Sequence, residues 1–399
     1  MRRLDLAFFA VILSFSACAK DPDRDMTGVG GTAGTGSMGG TGGSGPSYTP
    51  PALKLSHPNP IISRGVQVFS SPAGGAAVVN GTYHGGGWNA GSPSAATPSW
   101  VAIKLAAGPT RILVSWDDNG TYNYQDAAGT AVYGLAADYH FEVSSDSTNG
   151  MDGSWAMAGT AVTGNHVRTR AHALDFAGKT WIKMVITAAP AEAASGVQIG
   201  EIDVHDISAT GTGLPEDTWF FMGDSITAFA YDRRTSNQPS FAAAINTATA
   251  MAYMPAMING GIGGENTAGA LARLDNVLAL NPDYHFFAIT YGTNDGWGNS
   301  NTGAFRTNLQ AMIDKIKAAG RIPVLSRVPF SPDGNHGSLP MFNDVIDELT
   351  RTNQLQVGPD FYAYFMAHPE QLTDMVHPDY AGQKGMNDLW ADAMRVVYP

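Results

Sequence analysis

Two short stretches of this chain hold the residue types that acyl chemistry needs. Gly223-Asp224-Ser225 closes an almost wholly apolar run, "TWFFM", Thr218 to Met222. Far downstream, "DMVHP" places Asp374 three residues before His377. A serine hydroxyl is a weak nucleophile until a neighbouring base takes its proton. An imidazole can be that base when a carboxylate holds its tautomer and offsets the charge it acquires. Ser225, His377 and Asp374 are candidates for those three parts. Asp379 is a less suited orienter, because Pro378-Asp379 reads as the start of a helix.

Residues so far apart must be brought together by the fold. From about residue 213, near-continuous apolar runs ("TWFFM", "PAMIN", "YHFFAIT", "IPVLSRV") alternate with segments of helical period. Leu271, Leu274, Val277 and Leu278 share one helical face. So do Phe305, Leu309, Met312, Ile313 and Ile316, with Gly320 as the stop. Met341, Phe342, Val345, Ile346 and Leu349 make a third face. Met386, Leu389, Trp390, Ala393, Met394 and Val397 make the last. Strands buried on both faces and separated by amphipathic helices predict a parallel, doubly wound α/β domain. In such sheets the working residues gather beyond the carboxyl ends of the strands. The strand exits here carry Gly-Asp-Ser, then "NGGIGGENT" (259–267), then "YGTND" (291–295). Each is polar and sterically permissive.

Taken in order, Ser225, Gly264, Asn294 and His377 resemble the four blocks of the SGNH, or GDSL, hydrolase superfamily, a likeness covering residues 213–399. The resemblance implies a flavodoxin-like three-layer α/β/α fold and a serine hydrolase working through an acyl-enzyme. It implies Ser225, His377 and Asp374 as catalytic residues. It implies an oxyanion hole made by the backbone N–H of Ser225, the backbone N–H of Gly264 and the side-chain amide of Asn294. Asp224 and Asp295 are expected to be structural. Tyr291 and Trp297, flanking Asn294, are expected to wall the acyl or sugar site, with core packing as the alternative for both. The run Gly260 to Gly264 suggests small surroundings suited to a short acyl group.

Residues 51–212 have another texture. Short runs such as "SWVAIKL", "RILVSW", "DYHFEVS" and "VQIGEIDVHDI" alternate with period two between Gly-, Asn-, Asp- and Pro-rich turns. They predict an antiparallel, jelly-roll-like β-sandwich with a bulge at Gly200-Glu201. "WNAGSPSAATPSWVAIKL" and "YHFEVSSDSTNGMDGSW" resemble a discoidin-type, galactose-binding-like module. Members of that family bind sugars through loops and often hold a structural calcium. Trp88, Trp116, Tyr122, Tyr124 and Trp155 are therefore read as sugar-stacking or core side chains.

The N-terminus, residues 1–17, has Arg2 and Arg3, an apolar run from Leu6 to Phe15, and Ser16-Ala17 before the single cysteine, Cys18. It resembles a bacterial lipoprotein signal, implying export and a lipid anchor on Cys18, with outer-membrane sorting expected; an ordinary cleaved signal and secretion are the alternative. Residues 18–50, rich in Gly, Ser and Thr, are expected to be a flexible tether whose ~30 residues span roughly 30 Å. The formal charge of −12 and the absence of a Lys/Arg cluster argue against nucleic acid as a partner. Neither an HExxH zinc motif nor a P-loop occurs, so catalysis is expected to need no cofactor.

The expected substrate is an acylated polysaccharide or oligosaccharide that loses acetyl or another short acyl group. A lipid-directed esterase or lysophospholipase, a non-catalytic carbohydrate-binding surface lipoprotein, and acyl transfer to a glycan hydroxyl are the alternatives.

Overall fold

The computed structural model describes residues 48–82, 87–118, 134–190, 196–232 and 240–399. Cys18, the tether up to residue 47, Tyr122 and Tyr124 lie outside the described residues. The first strands are β1 (Val68–Ser71), β2 (Trp88–Gly91), β3 (Ser99–Lys104), β4 (Arg111–Asp118) and β5 (Asp138–Ser144). β6 (Ala156–Val162), β7 (Thr169–Asp175), β8 (Trp181–Ala188) and β9 (Val197–Asp206) follow. They form two antiparallel sheets, ordered β1-β3-β8-β5-β6 and β2-β9-β4-β7. The inward residues, among them Val101, Ile103, Val114, Ile182, Met184 and Val204, make one buried core between the sheets. Trp88 and Trp116 belong to that core, 2 % and 1 % exposed, so neither presents a ring to a sugar. The β4–β9 register skips Gly200, where the sequence slips by one residue.

The second half alternates strands and helices. The strands are β10 (Thr218–Gly223), β11 (Ala256–Gly261), β12 (Phe286–Thr290), β13 (Ile322–Arg327) and β14 (Val357–Asp360). The helices are α1 (Ser225–Ala230), α2 (Phe241–Ala248), α3 (Thr267–Leu280), α4 (Gly303–Ala318), α5 (Leu339–Thr352), α6 (Phe361–Ala367) and α7 (Tyr380–Met394). The sheet is wholly parallel, ordered β11-β10-β12-β13-β14, with helices on both faces. β10 shows why its sequence is apolar throughout. Phe220 and Met222 face α3, α4 and α5, whereas Trp219 and Phe221 face α2 and α7. Strand order reverses at β10, and that switch point opens a crevice at the sheet's carboxyl edge. Met341, expected on the buried face of α5, is 47 % exposed, because Phe342, Val345, Ile346 and Leu349 already fill that face.

The two halves are joined by packing as well as by chain. Leu113, on the outer face of β4, shares a buried cluster with Val167, Ala171 and Ile207 and with Phe220, Ala256 and Leu274 of the α/β half. The backbone N–H of Ala173 donates to Asp283 Oδ2 at 3.1 Å across the same boundary. Residues 51–60, whose composition reads as the start of the sandwich, first cross the α/β half. Leu55 N–H donates to Val397 O at 2.7 Å, and Asn59 Nδ2 to Met254 O at 3.0 Å. The chain reaches the sandwich at Pro60, whose O accepts from Asp206 N at 3.0 Å, and at Ile61, which bridges to His205.

Asp217 anchors this crossing and is 1 % exposed. Its Oδ1 accepts from Trp219 Nε1 at 2.9 Å and Tyr398 Oη at 2.7 Å, while Oδ2 has no partner. Burial pushes the carboxyl up to about 7 against the pull of those two donors. The folded protein therefore holds a proton there that the unfolded chain releases near pH 4. Stability from this group is highest below pH 4 and falls by about 1.4 kcal/mol per pH unit up to about 7. Asp217→Asn removes that dependence. In thermal melts, the difference in Tm between the variant and wild type should be more favourable to the variant at pH 8 than at pH 5. An identical difference at both would contradict this.

Candidate active site

The turn from β10 into α1 is built around Gly223. A Cβ there would lie 2.0 Å from Thr227 Oγ1 and 2.6 Å from Thr290 O, so no side chain fits. Asp224 follows as the N-cap of α1, its Oδ1 accepting from Ile226 N at 2.9 Å. Ser225 is consequently the first residue of the helix, at the sheet's carboxyl edge.

His377 arrives from the loop between α6 and α7. Its Nε2 lies 2.8 Å from Ser225 Oγ, and its Nδ1 lies 2.7 Å from Asp374 Oδ2. An ionised carboxylate only accepts, so Nδ1 carries the proton and Nε2 is left to accept from the serine. Asp374 Oδ1 meanwhile accepts the backbone N–H of Val376 at 3.1 Å and of His377 at 2.8 Å. Partial burial lifts this carboxyl, but the His377 backbone and ring donors outweigh it and hold it below the usual carboxylate range. Met375, between these residues, adopts φ +71, a left-handed conformation costly for a side chain other than glycine. Its carbonyl accepts from Ser331 Oγ at 2.8 Å, which ties down the strained loop. The ring of Phe229 meets His377 edge-on at 5.4 Å.

Gly264 has φ +75, with open space where a Cβ would point. Backbone conformation, not crowding, demands glycine there. Among the described residues, and outside helices and strands, the N–H of Gly264 donates to no backbone carbonyl. Asn294 Nδ2 donates to Glu265 O at 2.9 Å and lies 3.4 Å from Asp224 Oδ2. It is thereby held beside the neighbour of Ser225 and the neighbour of Gly264 at once. The long contact to Asp224 leaves its second N–H weakly committed. Asp224 is fully buried. Burial, followed by the charges of Asp295 and Glu265, raises it to about 7 despite the N-cap hydrogen bond.

The other expected residues differ in what they touch. Tyr291 is 2 % exposed, with its hydroxyl bound to Glu265 and Arg273, so it walls no substrate site. Gly260 and Gly261 belong to β11, where a Cβ would strike the Phe220 ring at 2.2 Å and Ala228 N at 2.3 Å. They let α1 and a neighbouring strand approach and do not line a small acyl site. Trp297 is 53 % exposed, its ring edge-on to His336 at 4.8 Å. Asp295 accepts the N–H of Thr267 at the start of α3, at 3.1 Å. Glu265 and Arg273 were not singled out from sequence. Their only signal there is opposite charge eight residues apart around a helix start.

The geometry permits one sequence of events. Ser225 Oγ attacks an acyl carbon as its proton passes to His377 Nε2, and the imidazolium gives that proton to the leaving alcohol. Water then repeats the cycle on the acyl-enzyme. A fluorophosphonate probe should label Ser225 covalently. His377→Ala should slow labelling by roughly a hundredfold or more, and Ser225→Ala should abolish it. Labelling at the wild-type rate in His377→Ala would contradict the assignment.

The profile of the GDSL-like lipase/acylhydrolase family matches residues 221–384. An arylesterase from Vibrio mimicus is 32 % identical over 140 residues, which cover 35 % of this chain and 69 % of that protein. The solved esterase EstA from Pseudoalteromonas sp. is 24 % identical, covering 45 % of this chain and 97 % of its own, with a TM-score of 0.38. An acetylxylan esterase, Axe2 from Geobacillus stearothermophilus, is 20 % identical, covering 46 % and 95 %, with a TM-score of 0.37.

Proposed function

This chain belongs to the GDSL-like lipase/acylhydrolase family and is an esterase, and on that premise we propose that it removes acetyl or other short acyl groups from a polysaccharide or oligosaccharide. The observation that carries the reading is the openness of the triad. The side chains of His377 and Asp374 are 29 % and 57 % exposed, so an acyl group borne by a bulky polymer can reach Ser225. The half-exposed Trp297 offers a ring on which a sugar can rest. A long acyl chain would instead need an apolar channel beside the serine. Among the described residues, a cavity of about 470 Å³ near Met157 and Leu174 and one of about 370 Å³ between Leu53 and Ile322 are each lined without a triad residue.

The sandwich, in this reading, is a discoidin-like module that brings the enzyme to its glycan. The partly exposed Trp155 supports it, although Lys183 Nζ already covers one face of that ring, 3.4 Å from its centroid. Export and a lipid anchor on Cys18 complete the proposal: an enzyme tethered to the cell envelope and working on polymer outside it.

Purified protein should hydrolyse p-nitrophenyl acetate faster than the octanoate and release acetate from at least one acetylated polysaccharide. Ser225→Ala should lose activity by more than about a thousandfold. Trp297→Ala should raise KM for the polysaccharide more than for methyl acetate. A preference for the octanoate would shift the reading to lipids, and full activity in Ser225→Ala would remove it.

A further inference from the structure

We infer that Arg273, acting with Glu265 and Tyr291, is a positioning residue that aims the Asn294 amide at the oxyanion. The inference rests on the esterase reading of the same site. A carboxamide can present either its NH₂ or its oxygen, and the choice here is made by Glu265 O, which accepts from Asn294 Nδ2 at 2.9 Å. A carbonyl at that point repels the amide oxygen, so the NH₂ side stays turned toward Ser225's neighbours. The direction of Glu265 O depends in turn on where the rest of Glu265 is held.

That side chain is clamped. Its carboxylate accepts from Arg273 Nε at 2.7 Å and Nη2 at 2.8 Å, a two-pronged contact, and also from the Tyr291 hydroxyl. Arg273 Nη2 further donates to Gly260 O at 2.8 Å, fastening α3 to the end of β11. The Arg273 and Glu265 side chains are only 11 % and 8 % exposed, so water screens the contact little. Glu265 adjoins Gly264, and Tyr291 leads into the turn that carries Asn294. One buried clamp therefore spans both loops that supply oxyanion donors. The guanidinium also neutralises a carboxylate that would otherwise bear, uncompensated, on the buried Asp224 next to the nucleophile. None of these three side chains touches the reacting atoms.

An interaction of this kind is felt when charge develops on the acyl oxygen, so its loss should fall on kcat. The test uses the full chain. Arg273→Met should lower kcat on p-nitrophenyl acetate roughly tenfold to a hundredfold, short of the loss for removing a donor outright, with little change in KM. Tyr291→Phe should do the same to a smaller degree, and it keeps the test alive if Arg273→Met does not fold by circular dichroism. In an Asn294→Ala background, either substitution should cost nothing further. Equal losses in both backgrounds, a change confined to KM, or wild-type kcat would overturn the inference. The rate of Ser225 labelling by a fluorophosphonate, slowed in Arg273→Met, reads the clamp even on a chain that turns over no ester. A wild-type chain that is labelled but hydrolyses no ester sinks the esterase reading alone. An active wild type with an unaffected Arg273→Met sinks only the clamp.

Discussion

At residue 223 the chain must leave a strand, turn and begin a helix within hard-sphere contact of that helix's own first turn and of β12. Thr227 and Thr290 already occupy the volume a side chain would need, so glycine is the one residue the turn accepts. Much of the catalytic geometry follows from that close approach. Asp224 becomes a buried cap, and Ser225 begins the helix at the edge where the sheet reverses its order. The strand neighbours Gly261 and Thr290, registered against Gly223 on either side, lead the next two loops toward the same edge. A looser turn would carry the hydroxyl away from an imidazole whose own loop is separately anchored by Ser331 and by strain at Met375.

Electrostatics adds a second constraint. Asp224 and Asp295 are both largely buried around the oxyanion loops, and burial raises the carboxyl of each. The arrangement distributes partners among these and Glu265. Glu265 has the Arg273 fork; Asp295 takes the donors at the start of α3, and Asp224 has a backbone N–H and the long Asn294 contact, both with a raised affinity for a proton. By contrast Asp374, which must stay charged to orient His377, faces three donors and solvent. Acidic groups of one chemistry are thus given different protonation habits by what surrounds them.

Much of this was legible in sequence. Strands buried on both faces announce themselves as unbroken apolar runs, and the polar residues at their exits mark the crevice. Ser225 can be placed that way, and the resemblance of the four ordered blocks adds Asn294, Asp374 and His377. Tyr291 could not. Its place directly after β12 is the same whether the ring faces the cleft or the interior, and only Arg273 and Glu265, distant in sequence, decide the matter. Gly260 and Gly261 read as a loose loop because their partners, Phe220 and Ala228, come from other elements. The crossing of residues 51–60 left no periodic signal, since Pro-rich extended chain takes its hydrogen bonds from whatever surface it meets. Strand β14, four residues long and containing Gly358 and Pro359, is too short and broken for pattern reading.

The seam between the two halves bears on how such a chain can be dissected or recombined. Leu113, Val167, Ala171 and Ile207 are interior residues only while the α/β half is present, and Phe220 and Leu274 belong to the same continuous cluster. Cutting between sandwich and hydrolase would bare an oily wound on each fragment rather than liberate two modules. Anything the sandwich holds would meet Ser225 at a spacing set by the packed seam, a distance inherited from the fold instead of being sampled by a linker.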